Sequence, residues 1–388
     1  MNLKESMKKK IISAYTTSVD KHESEIVNSV LEYENFEVEQ NAKPQKTSNI
    51  GIIVGSIVRY SGGHTSILRL GTGLSKNGKT VTYISFKNQS LEKMQEAAKG
   101  NLPSVEGKFA KLQDVSPETY DIIIATSWQS VYYARRFEAY KMYFVQDYEP
   151  YFFKLNERYL LAKKTYELGL HIVSLGKWNI EQIKRLGSVN VKYKTDYIDF
   201  PYEPSEYICY ERNYDKYIGK KDISIAVYSK EDGKRIPNML QIILKKATKE
   251  LQSMGISLEI YFFGFDKKTK IQIGKNLGKL NRKEMIELYK KVDFGMVASM
   301  TNISLVPYEM LATGLPIIEF IEGSFTSFFP SGAATLVDFN YKMLCDELVK
   351  CITVNNIVKN QIQLAQKYLE TLSWEHSCRQ FIDILEEL

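Results

Sequence analysis

The sequence predicts an α/β protein made of two doubly wound parallel sheets that face each other across a cleft. Short runs rich in β-branched residues alternate with helical stretches, the pattern of a parallel sheet covered by helices on both faces. The runs are apolar throughout rather than alternating, as strands buried on both sides are. The pattern lapses once, in PYEPSEYICYERNYDKYIGKKD (201–222), and then starts again. A chain of 388 residues, 44% apolar and 25% charged, is long enough for two such units, each with its own core.

Residues 1–48 are expected to be an N-terminal arm and linker. Lys8, Lys9 and Lys10 open it, Glu23, Glu25, Glu32, Glu34, Glu37 and Glu39 follow, and NAKPQKTS closes it. We read one or two short helices or a partly disordered, solvated arm. Peripheral contact of its lysines with an anionic membrane surface is the alternative, to which three or four lysines contribute little. The first unit, 49–205, has strands at NIGIIVGS, VTYISF (81–86), YDIIIATS (120–127), KMYFVQD (141–147) and HIVSLG (171–176). Helices such as TSILRLGTGLSKNG and NIEQIKRLG separate them. The second unit, 206–372, begins at DISIAVYS (222–229). It continues through the helix NMLQIILKKATKELQSMG, SLEIYFFG (257–264), the helix RKEMIELYKKV, DFGMVASM (293–300), a helix around PYEMLATG (307–314), LPIIEF and TLVDF (335–339). Ser373 is placed to cap a last helix, 373–388, expected to pack back on the first unit.

No apolar run approaches the roughly 18–20 residues that span a bilayer. The basic N-terminus lacks the apolar core of a secretory signal. Cys209, Cys345, Cys351 and Cys378 are scattered without metal-site spacing, so neither a disulfide framework nor a zinc site is expected, and a reducing cytoplasm is the natural compartment. The balance of 52 basic to 46 acidic residues gives +6, which suits an anionic ligand but is too dispersed for nucleic acid.

Two nucleotide signatures overlap near residue 75 and both are refused. Gly73 to Thr80, GLSKNGKT, fits the letters of a phosphate-binding P-loop. That device needs a strand before it and a helix after it, and here a helix runs in and a strand runs out. Gly78 reads instead as a helix-terminating glycine. Gly71-x-Gly73 begins a dinucleotide fingerprint whose third glycine position is Lys76. A better candidate follows the first strand, where Ser61-Gly62-Gly63-His64 leads directly into a helix. Glycines there let a ligand approach the backbone, and the helix N-terminus suits phosphate. A tight turn with no ligand is the other reading of the same residues, and His64 is either a cap or a ligand contact.

Four segments together carry a resemblance: SGGH, VSLGKWNIEQIKRLG (173–187), SMTNISLVPYEMLATGLP (299–316), and the Ser-Trp at 373–374. From about Asn49 onward the chain resembles the family 4 glycosyltransferases, whose GT-B architecture pairs two Rossmann-like domains. FVQDYEP (144–150), the Tyr-rich segment after it and TNISLVPYEM make it most similar to bacterial rhamnosyltransferases of the WsaF type. Those build cell-surface glycans from deoxythymidine-diphosphate-rhamnose. The resemblance implies a nucleoside-diphosphate sugar donor, a glycan or glycolipid acceptor, and retention of configuration without an obligatory protein base. It places Glu309 on the ribose hydroxyls, where one carboxylate accepts two hydrogen bonds; a first-turn glutamate favoured by the helix dipole is the bland alternative. Thr301 stands where most members carry a second glutamate beside the sugar, leaving sugar recognition to Thr301, Asn302, Ser304 and backbone amides. Lys230 and Arg235, in YSKEDGKRIPN, match the two cations that stabilise the departing diphosphate. With no Asp-x-Asp triplet in the chain, they are expected to replace a metal, and no cofactor is expected. Gly62 and Gly63 join the nucleotide-sugar site from the first unit, and Gly278 and Leu280 are similar to the base-contacting loop. Asp147, or Glu149, at the end of a first-unit strand, is the candidate to orient the acceptor hydroxyl or act as base. A non-catalytic glycosyltransferase-like partner of another enzyme is the competing function, and the sequence leaves a homo-oligomer open.

Overall fold

A computed structural model describes residues 24–32, 34–187, 194–231 and 233–388. Among these residues two wholly parallel sheets form. The first contains β1 (Asn49–Val54), β2 (Thr80–Ser85), β3 (Lys108–Lys111), β4 (Ile122–Ala125), β5 (Tyr140–Val145), β6 (His171–Leu175) and β7 (Thr195–Ile198), in the order β3-β2-β1-β4-β5-β6-β7. The second contains β8 (Asp222–Tyr228), β9 (Ser257–Phe263), β10 (Lys275–Asn276), β11 (Phe294–Met296), β12 (Ile317–Phe320) and β13 (Thr335–Val337), in the order β10-β9-β8-β11-β12-β13. In both sheets the strand order, not the strand direction, reverses beside the first strand, between β1 and β4 and between β8 and β11. Ligands of doubly wound folds bind outside such switch points, at the carboxyl ends of the strands.

The central strands owe their place to burial. Ile50, Ile52 and Ile53 of β1 and Ile122, Ile123 and Ile124 of β4 are fully buried. Gly51 is the exception the packing demands, because a Cβ there would collide with Ile123 and Ile84. Three strands, β3, β7 and β10, go beyond the sequence expectation. All lie at sheet edges and carry polar or half-exposed residues, so they lack the continuous apolar run that marks a central strand. DFGMVASM keeps only Phe294–Met296 in strand geometry; beyond it the chain turns toward the cleft.

The described part of the arm departs from a solvated segment. Residues 24–31 are helical, and the stretch after them docks on the first unit. Glu34 pairs with Arg135 at 2.9 Å, Glu39 lies 3.4 Å from both Arg135 and Lys141, and Phe36 meets Tyr132 edge-on. The Asn41 amide accepts from Lys141 N (2.7 Å) and donates to Lys141 O (2.9 Å), so one side chain satisfies both backbone groups of a β5 residue. Lys8, Lys9, Lys10 and Glu23 lie outside the described residues.

Segment 201–222 is likewise anchored: Arg212 donates to Val292 O (2.7 Å) and Tyr289 O (2.6 Å). The last helix, Trp374–Glu386, is capped by Ser373, which accepts from His376 N at 3.0 Å. It lies on the first unit, with Phe381 edge-on to Phe144 and Cys378 filling the space that a Cβ on Gly73 would need. Gly73 is inside the helix Gly62–Lys76 and Gly78 has φ +82°, so the P-loop letters have no P-loop geometry. No helix of the described residues is long and apolar enough to cross a membrane.

Candidate functional site

At the first switch point, β1 runs into a loop and then into the helix Gly62–Lys76, with Ser61 as N-cap. The loop is tied down by amide side chains. Asn101 donates to Val58 O (2.8 Å) and accepts from Ser61 N (3.0 Å), and Gln89 bonds Ile57 N and O, each at 2.9 Å. His64 Nδ1 accepts from Val58 N at 3.2 Å, which places the ring proton on Nε2, and burial lowers its pKa. His64 is therefore a neutral pin for the loop. Gly62 and Gly63 occupy the first helical turn. A cavity of about 480 Å³ opens beside them, lined by Gly55, Gly63, His64, Phe86, Lys87 and Gln146 among others.

At the second switch point, β8 leads through buried Ser229 to the turn Gly233–Arg235 and then the helix Pro237–Ser253. Ile236 joins them at φ +41°, a left-handed conformation that a β-branched residue adopts only under strain from its surroundings. Lys230 and Arg235 face different surroundings. Lys230 is exposed, its Nζ 5.8 Å over the Tyr228 ring. Arg235 is only 4% exposed and donates from Nη1 to Ala298 O at 3.0 Å. It lies in the field of Glu319, a fully buried carboxyl that accepts from Ser299 N (3.1 Å) and Ser299 Oγ (2.6 Å). Burial pushes the Glu319 pKa up to about 7, against the opposing pull of those hydrogen bonds and Arg235. The cation that reaches the first unit is Lys234, which the sequence reading passed over. Its Nζ is 3.5 Å from Asp147 Oδ2 and 4.5 Å over the Phe152 ring. The adjacent basic pair Lys234-Arg235 was the available signal; the tight turn sends one residue inward and the other across.

Asp147, Thr301 and Asn302 do come together, as a clamp between the units. Thr301 Oγ1 donates to Asp147 Oδ2 (3.0 Å), and Asn302 N donates to Asp147 Oδ1 (3.1 Å), which also accepts from Tyr148 N (2.9 Å). Asn302 Nδ2 donates to Gln146 O (2.7 Å) and Leu175 O (3.0 Å). In this arrangement Asp147 is not a free base and Thr301 is not an open sugar contact. An aromatic seam continues the junction: Phe200 stacks on Tyr308 with centroids 5.0 Å apart and meets Phe328 edge-on. Gly176 has φ +81° and passes so close to Phe328 that no side chain fits. Glu149 turns away from the cleft, its Oε2 accepting from Trp128 N at 2.8 Å, and burial raises its pKa to about 7.

Glu309 lies in the helix Leu305–Ala312, 8% exposed, and its Oε2 has no hydrogen-bond partner. The Tyr207 and Tyr289 hydroxyls face the carboxyl, and burial pushes its pKa up to about 7. A buried carboxyl oxygen without a partner is costly unless a ligand completes it. Ser304, the N-cap residue of this helix, makes no capping bond, and its Oγ is also buried without a partner. Glu206, next to Tyr207, is held by Arg69 (2.9 Å) and Arg282 (2.8 Å), which fixes Tyr207 beside Glu309. Gly278 sits at φ +84° in a loop pinned by Asn276, and Leu280 packs inward on the core.

No protein-family model matches the sequence, and no curated protein sequence does. Solved structures do match, over nearly the whole chain. HepE of Anabaena, solved with UDP and glucose, is 12% identical over 87% of this chain and 99% of its own, with a TM-score of 0.65. TarM is 7% identical over 89% of this chain and 100% of its own, with a TM-score of 0.68. The sucrose-phosphate synthase of Thermosynechococcus elongatus is 13% identical over 88% and 98%, with a TM-score of 0.63. The two sheets and their flanking helices thus form the GT-B fold, two Rossmann-like units side by side.

Proposed function

We propose that the chain is a glycosyltransferase that moves a sugar from a nucleoside diphosphate to a glycan or glycolipid acceptor. The observation that carries this is Glu309: a buried carboxyl, its Oε2 unfilled, five residues past an N-cap serine whose Oγ is also unfilled. The pair offers a ribose hydroxyl an acceptor and a phosphate a helix N-terminus. The fold shared with HepE, solved with UDP and glucose, supports a nucleotide-sugar donor. Another neighbour, WaaG (TM-score 0.59, 12% identical), is a glycosyltransferase involved in lipopolysaccharide biosynthesis, which supports a cell-surface acceptor. The resemblance carried by FVQDYEP (144–150) and TNISLVPYEM (301–310) makes L-rhamnose or another hexose the sugar of this proposal. Lys230, Lys234 and Arg235 supply the positive charge for the leaving diphosphate without a metal. The leaving phosphate takes the acceptor proton, so clamped Asp147 is not required as base. The work is done in the cytoplasm or at the inner face of the membrane.

Calorimetric titration of uridine and deoxythymidine diphosphates tests this reading. We expect binding, weakened by Glu309→Gln by about 1.5–3 kcal/mol, the range for hydrogen bonds to a charged group. If Glu309→Gln binds as well as the parent, the ribose assignment is wrong. The Asp147–Thr301–Asn302 clamp favours a second reading, a non-catalytic partner whose donor side is closed. Absence of a thermal shift with any nucleoside-diphosphate sugar at millimolar concentration selects it.

A further inference from the structure

Two cavities open along the carboxyl edge of the first sheet, and they share a wall. One, of about 480 Å³, lies beside Gly63 and His64. The other, of about 470 Å³, runs outward past the ends of β2 and β3. Phe86 and Lys87 line both, so the two adjoin along this edge as the halves of a groove that leads away from the helix N-terminus, with Phe86 and Lys87 between them. Its outer half is lined by Lys87, Lys111 and Arg136, together with Ser85, Asn88 and Gln113, and by no carboxylate; on its other side Arg136 borders the pocket that Glu32, Glu34, Glu37 and Glu39 line. Glu92, the acid whose charge acts on Lys111, stands exposed in solvent. Arg136 is set in place: its guanidinium lies 4.8 Å over the Tyr133 ring, and Tyr133 stacks on Phe86 with centroids 4.4 Å apart and planes at 19°. A cation held on a rigid aromatic stack loses little freedom when it binds an anion.

The donor machinery described above needs none of these residues, since its cations come from the second unit. Three cations converging on a cavity at the sheet edge answer to an anion on the other substrate. We propose that this groove is the acceptor site and that it takes an anionic glycan. The glycan's phosphate or carboxylate group is held by Lys87, Lys111 and Arg136, and the hydroxyl to be glycosylated points to the Gly63 end. This rests on the glycosyltransferase reading and narrows it to acidic acceptors.

The test is binding of three probes to the full chain: an oligogalacturonate, a glycerol-phosphate oligomer and a neutral maltooligosaccharide, with uridine and deoxythymidine diphosphates titrated in parallel. The variant is Lys111→Glu with Arg136→Glu, both at the groove rim, its fold checked by thermal melting. We expect at least one anionic probe to bind, the one that binds identifying the anion, while the neutral probe does not. The double variant should lose tenfold or more in affinity for that probe and stay within twofold for the nucleotide. Three results each overturn the proposal: equal binding of the neutral probe, anionic binding that survives the charge reversal, or no anionic binding at millimolar concentration. Failure of both nucleotides to bind strikes the glycosyltransferase reading instead.

Discussion

The two switch points have the same topology and opposite states. Outside β1 and β4 the helix begins with two bare glycines, the loop before it is pinned by Asn101, Gln89 and His64, and an open cavity lies in front. Outside β8 and β11 much of the corresponding space is occupied: Arg235 is turned onto Ala298 O, and Thr301 and Asn302 hold Asp147. The sheets set where a ligand can sit; the loops decide whether the place is open. An edge organised by its own side chains stays open without its partner unit. An edge whose polar groups find partners across the junction must release them before a ligand can enter.

The sharpest way to break this comparison is to cut the clamp. Asp147→Ala leaves the Thr301 hydroxyl and the Asn302 amide buried without their acceptor and Lys234 without its partner. We expect a loss of about 3–5 kcal/mol in urea-induced unfolding, the scale for removing one member of a buried polar pair. Asp147→Asn keeps an oxygen for Asn302 N and should lose less. If Asp147 were a free base, turnover would collapse with stability unchanged.

Arg235 comes next. Its guanidinium holds Ala298 O and faces buried Glu319, so Arg235→Ala should both loosen the loop and remove charge from the diphosphate site. The expected loss is about 2–4 kcal/mol in kcat/KM, the size of one electrostatic contact in the transition state. Lys230→Ala, at an exposed position, should cost far less. Turnover abolished by a chelator and restored by magnesium would show that these cations do not do a metal's work.

The sequence showed the central strands, because buried parallel strands are apolar without interruption, and it placed SGGH at a strand-to-helix turn; Glu309 was singled out by the family resemblance and not by its position alone. It showed Asp147, Thr301 and Asn302 only as separate candidates. Their meeting joins residues 154 and 155 positions apart, and nothing local encodes it. Tyr207 and Lys234 were missed for a related reason: one belongs to a segment without periodicity, the other to a turn where a one-residue difference exchanges inside for outside. The edge strands β3, β7 and β10 were missed because half-exposed strands need no apolar run.

Glu319 offers a smaller test of the closed side. Its carboxyl has a pKa near 7 in the folded protein and near 4.5 when unfolded, so the folded state holds the proton more tightly. The sign follows from linkage: its contribution to stability is greatest below about pH 4.5, falls as pH rises toward 7 and then levels off. Glu309 and Glu149 behave alike. Glu319→Gln should therefore flatten the pH dependence of stability between about pH 5 and 7 relative to the parent. An unchanged slope would mean that Glu319 is already ionised, held by Arg235 as a buried ion pair.

The smallest expected effect belongs to the open side. A Cβ on Gly62 meets nothing within 4 Å, and one on Gly63 meets only the Gln146 amide, at 3.6 Å. Neither glycine has the positive φ that an L-residue avoids. If the pair served folding alone, Gly62→Ala and Gly63→Ala would be free to stabilise the helix start, by about 0.4–1 kcal/mol through the unfolded chain. If the glycines are there to let a diphosphate reach the helix N-terminus, the same methyl stands in the ligand's path. We therefore expect both variants to melt at or slightly above the parent temperature, while Gly63→Ala binds nucleoside diphosphate several-fold more weakly. The separation of the two readouts is what matters. Higher stability with unchanged nucleotide affinity would make SGGH a turn and nothing more, and the open edge would then belong to the acceptor alone.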